Sequence, residues 1–122
     1  MSVLLAATAA ALFAIGTYLV LQRALTRVII GIALLSHGAN VLMMATERRG
    51  TAPIIGNGDP ADFSDPLPQA FALTAIVISF GVTAFLLALA FRSWVLTHDD
   101  EVQDDLEDRL MALQGNADEE VD

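Results

Sequence analysis

Cysteine and lysine are both missing from these 122 residues. Without thiols the chain can form no disulfide and offers no thiolate to a metal. No carboxylate, lysine or arginine falls within residues 3–21, 28–45 or 67–91. No glycine-rich phosphate loop follows a strand, and no His/Asp/Glu spacing suits a metal or cofactor. Ser36 and His37 are neighbours in sequence, so on a helix they point about 100° apart and make no nucleophile–base pair. Enzymatic constellations are therefore not expected, and none of the candidate residues is catalytic.

What fills the space is hydrocarbon. The hydrophobic fraction is 55% and the mean hydropathy +0.58, high for a water-soluble domain. Nearly all of it sits in the three uncharged runs. Each is long enough to cross a core of about 30 Å, which takes roughly 20 helical residues. The expectation is an all-α polytopic membrane protein with three transmembrane helices. The first run has no basic segment before it and is too long and even for a typical signal-peptide core, so it reads as a mature span. Residues 1–95 form the expected membrane domain and residues 96–122 an acidic cytoplasmic tail.

Small residues mark faces suited to other helices. The first run has Ala6, Ala10 and Ala14 at four-residue spacing, with Gly16 nearby. The second has Gly31, Gly38 and Ala45 seven apart, and the third has Thr74, Gly81 and Ala88. The link at residues 22–26 is short enough to make the first two helices antiparallel neighbours. Three helices cannot satisfy so many faces among themselves, which points to unlike partners.

Ser36, His37 and Asn40 occupy one turn in the middle of the second run, and Thr74 and Ser79 lie in the third, with Thr83 four residues beyond Ser79. Polar groups at membrane depth cost free energy unless partnered, so they usually face a bundle interior, a cavity or another subunit. His37 is the one titratable side chain at depth. It suits either a proton relay near neutral pH or a packing hydrogen bond to a neighbouring helix. With no carboxylate beside it, the chain is not expected to transport anything, or to bind a small-molecule substrate, by itself.

Residues 47–64 hold turn formers (Pro53, Gly56, Asn57, Gly58, Pro60) and are too polar to cross a membrane. Asp65, Pro66 and Pro68 then give a strong helix start. Arg23, Arg27 and Arg92 lie on one side and Arg48 and Arg49 on the other. That bias places the first link and the C-terminus in the cytoplasm and the N-terminus outside. Eleven of the fifteen acidic residues fall between Asp99 and Asp122, against one Arg109, within a net charge of −9. Such a tail repels nucleic acid and anionic lipid. Val102, Leu106, Leu110 and Leu113 keep helical spacing, with Gly115 as a stop; the tail is either a solvated extension or a short amphipathic helix docking on a partner. Removing residues 99–122 is expected to leave the membrane fold intact.

The run IGIALLSHGAN at residues 30–40 resembles the second helix of the C subunit of the Mrp-type (multiple resistance and pH) sodium/proton antiporters. DPLPQA at 65–70, followed by LTAIVISF at 73–80, resembles that family's third-helix signature. The resemblance covers about residues 3–95. The C subunit is similar in turn to the K subunit of respiratory complex I, whose two membrane glutamates fall at about Ala33 and Val77 here, both apolar. A carboxylate relay therefore does not carry over. The resemblance implies a small membrane subunit, embedded in the lipid bilayer, of a hetero-oligomeric Na⁺/H⁺ antiporter in the cell membrane. Its partners would be large antiporter-like subunits and other small membrane subunits. Ser36, His37, Asn40, Thr74 and Ser79 would line a hydrated path or an interface. The alternative is a holin-like, self-assembling membrane pore.

Overall fold

The computed structural model describes residues 2–47, 49–56, 58–103 and 105–121. Arg48 and Asn57, which entered the orientation and loop arguments, lie outside the described residues, as do Met1, Asp104 and Asp122 of the two ends. Four α-helices follow one another: α1 (Val3–Val20), α2 (Leu25–Ala45), α3 (Pro66–Thr97) and α4 (Leu106–Val121), with a 3-10 turn at Pro60–Asp62. The first three are long and apolar enough to cross a membrane. At 18, 21 and 32 residues they extend about 27, 32 and 48 Å. The chain is an all-α, multi-pass membrane protein.

The ends of α3 show why it starts and stops where it does. The Asp65 carboxylate accepts from Leu67 N at 3.0 Å, with Pro66 at the first helical position. The helix then runs past residue 91, since Arg92, Ser93 and Trp94 continue it without a breaker. It ends at His98, which adopts a left-handed conformation (φ 54°) and donates its N–H to Trp94 O at 2.7 Å. Glycine usually fills this role because a side chain strains it.

Helix α2 lies between the other two: it packs on α1 and on α3, and among the described residues α1 and α3 do not meet. The α1 seam is the tight one. A Cβ on Gly31 would lie 2.7 Å from Gly16 O and 2.8 Å from Val20 N, and one on Gly38 would press on Phe13 and Leu12. The backbones touch because both sides lack side chains there. Gly31, Gly38 and Ala45 are buried as a row, as their spacing implies. On α1 the contact row is Ala9 and Gly16, not Ala6, Ala10 and Ala14, which stay half-buried or exposed. Only four hydrophobic residues of the described chain are buried, Ala9, Ile29, Ala45 and Ala72. Such a molecule has no core of its own; hydrocarbon or other subunits must cover the rest.

Each end of α2 is tied to α3. After His98 the chain turns back, and Leu25 N donates to Asp100 O (2.7 Å) while Val102 N donates to Arg23 O (2.8 Å). Asp100 Oδ1 accepts from Thr26 N (3.3 Å) and Thr26 Oγ1 (2.8 Å). Ala24 cannot cap α2, so a carboxylate 74 residues away does. Asp100 and Val102, read from the sequence as part of the tail, thus bond to the start of α2. At the other end Gln69 Nε2 donates to Glu47 Oε1 and to Ser64 Oγ (3.3 Å), and Thr51 pairs with Asp62 and Ser64.

The tail forms helix α4, which passes through Gly115 to Val121. One glycine costs a helix about 1 kcal/mol, and no proline follows to enforce a stop. Among the described residues α4 packs on none of α1–α3.

Candidate functional site

The polar residues expected at depth gather along the α2–α3 seam. Ile29, Ala33, Ser36 and Asn40 recur at helical spacing and form the α2 side; Ala72, Ala75, Ser79 and Thr83 form the α3 side. Two clefts flank the contact. One, of about 150 Å³, is lined by Ala33, His37, Ile76, Ser79, Phe80 and Thr83. The other, of about 370 Å³, is lined by Ser36, Ala39, Asn40, Ala75, Ile78, Ser79 and Val82. Ser79 borders both, so hydroxyl, amide and imidazole groups form a belt across the seam at one depth.

Asn40, on the larger cleft, is the buried member of the belt. It is 7% exposed, and its Nδ2 is buried with no acceptor among the described residues. A buried amide donor left alone costs roughly 1–3 kcal/mol, so an acceptor from elsewhere is called for. Ser79 Oγ donates to Ile76 O at 3.1 Å, which leaves its lone pairs to accept. His37 is exposed on the flank of α2 at the mouth of the smaller cleft.

The fifth expected residue lies elsewhere. Thr74 is exposed, lines neither cleft, and donates Oγ1 to Ala70 O at 3.0 Å. It shares the outer face of α3 with Gly81 and Ala88, which are also exposed; nothing lies within 4 Å of a Cβ at Gly81. Thr83 joins His37 and Ser79 instead, a place that its four-residue step from Ser79 already implied. Ala33 lines the His37 cleft, one turn below the imidazole, whereas Val77 is 65% exposed away from α2.

No carboxylate, lysine or arginine lines either cleft. The belt can donate and accept hydrogen bonds and order water. It has no fixed charge with which to hold a dehydrated cation. The acidic groups tied to α2 are at its two ends, Glu47 and Asp100.

The family model for NADH-ubiquinone/plastoquinone oxidoreductase chain 4L matches residues 4–108. The chain belongs to this family. It is 50% identical over 121 residues to the C subunit of the Na⁺/H⁺ antiporter of Alkalihalophilus pseudofirmus, covering 98% of this chain and 100% of the relative. A chain in the structure of the Mrp complex from Dietzia sp. superposes with a TM-score of 0.71 at 45% identity, covering 88% of this chain and 82% of the other. A chain of the membrane-bound sulfane sulfur reductase, an archaeal respiratory membrane complex, gives 0.73 at 31% identity, covering 86% and 98%. The likeness therefore runs beyond residue 95 into the tail. Family membership leaves the holin-like reading without support.

Proposed function

We propose that this chain is the small C-type membrane subunit of a multisubunit Na⁺/H⁺ antiporter, assembling with large antiporter-like and small membrane subunits, and is not itself an enzyme. The observation that carries the reading is identity of 50% over nearly the whole chain to the C subunit of a Na⁺/H⁺ antiporter. The scarcity of buried residues supports the need for partners. Within the assembly, Ser36, His37, Asn40 and Ser79 border a hydrated path or an interface at the α2–α3 seam, and the Thr74–Gly81–Ala88 face of α3 seats a neighbouring helix. Residues 1–95 act as the membrane domain, and 96–122 as the tail. Arg23, Arg27 and Arg92 put the α1–α2 link and the tail on the cytoplasmic side and the N-terminus outside.

The test is a mild-detergent pull-down of the tagged protein, followed by antiport assays in membrane vesicles with His37→Ala. Large polytopic proteins in fixed ratio are expected, and a homo-oligomer would sink the proposal. If His37 relays protons, the variant loses antiport or shifts its pH profile. An unchanged profile leaves His37 as a packing residue.

A further inference from the structure

At the opposite end of the seam from Glu47 lies a second kind of groove. Thr26, Leu87, Ala90, Phe91, Trp94 and Asp100 enclose about 410 Å³ where α3 leaves the membrane. Its polarity is graded along one direction. Leu87, Ala90 and Phe91 form an apolar wall, Trp94 stands above them, and Thr26 and Asp100 close the top. From Leu87 to Trp94 the helix rises about 10 Å. Trp94 stacks on Phe91 (centroids 6.3 Å apart) and meets His98 edge-on at 5.7 Å. A tryptophan at this level marks the membrane–water interface.

The geometry points to a binding site for a zwitterionic phospholipid carrying a primary ammonium, of the phosphatidylethanolamine class. The acyl chain follows Leu87, Ala90 and Phe91. The ammonium meets Asp100, whose two side-chain hydrogen bonds from Thr26 both go to Oδ1, leaving Oδ2 to accept. The Trp94 face adds a cation–π contact. Asp99, Asp100 and Glu101 in succession disfavour an anionic headgroup. An apolar partner helix would bring no group to meet the carboxylate at the rim. The proposal does not depend on what the polar belt carries.

Trp94 is the sole tryptophan of the chain, so its fluorescence reports the groove alone. The full chain is reconstituted in phosphatidylglycerol vesicles containing brominated phosphatidylethanolamine or brominated phosphatidylcholine at equal fractions. The ethanolamine lipid is expected to bind beside Trp94 about threefold more strongly, the scale of one partly screened ion pair. Asp100→Asn keeps a side-chain acceptor for Thr26, because asparagine caps as well as aspartate, yet removes the charge; it should bring the ratio near one. Stepwise N-methylation of the lipid, with the native chain, tests the same point without a variant and should weaken binding at each step. Equal quenching by the two lipids would make the groove an unselective surface or a seat for a partner helix, and the proposal falls. It falls as well if the preference survives in Asp100→Asn or is indifferent to methylation.

Discussion

Against α1, helix α2 presents Gly31 and Gly38, and the backbones approach until a Cβ at Gly31 would sit 2.7 Å from Gly16 O. Against α3, half a turn round, it presents Ile29, Ala33, Ser36 and Asn40, and the contact leaves a cleft on each flank. The first seam is closed by dispersion between small residues and needs nothing further. The second holds a buried amide donor without an acceptor among the described residues and a row of hydroxyls, and calls for water or another chain to complete it. One helix thus joins a finished contact to an unfinished one. This division separates what holds the subunit together from what it offers its partners.

The largest effect should come from breaking the closed seam. Gly31→Val should cost about 3 kcal/mol, since overpacking here meets backbone and no rotamer relieves it. Denaturant unfolding in detergent measures this; near-native stability would mean that α1 and α2 stand further apart than backbone contact. Asn40→Leu should act in opposite directions on subunit and assembly. The isolated chain gains about 1 kcal/mol because an orphaned donor disappears, while retention in the purified complex falls. A loss of stability in the isolated chain would instead place an acceptor within it. Of similar size in the isolated chain is Asp100→Ala, which should cost about 1 kcal/mol as a lost cap, against a few tenths for Asp100→Asn. Deleting residues 104–122 should leave the unfolding midpoint unchanged, whereas deletion from Asp99 should lower it as Asp100→Ala does. Equal midpoints for the two deletions would remove Asp100 from the membrane fold.

Much of the closed seam is legible in the sequence. Gly31, Gly38 and Ala45 recur every seven residues, and a link of a few residues forces antiparallel neighbours. The α1 partner row is not, because alanine at Ala6, Ala10 and Ala14 is equally at home facing lipid. Spacing also groups Ser36 with Asn40 and Ser79 with Thr83. It also sets Thr74 about 140° from Ser79 round α3, but not which of those faces meets α2, since the rotation of α3 depends on what it packs against. The Asp100–Thr26 cap leaves one faint trace, that Ala24 is a poor start for α2. A partner 74 residues away has no periodicity to betray it.

The number of spans, the α3 start at Asp65–Pro66 and the lack of charge at depth follow from sequence alone, because hydrocarbon thickness and backbone hydrogen bonding act on local segments. Tertiary structure alone decided that α2 is central, that α1 and α3 do not meet among the described residues, that Asn40 is buried without an acceptor there, and that the start of the tail caps α2. Each of these depends on which faces of distant segments come together, and in a bilayer the lipid competes for every apolar face. Close backbone approach and the few polar groups break that tie, and their effect appears only once the helices are side by side.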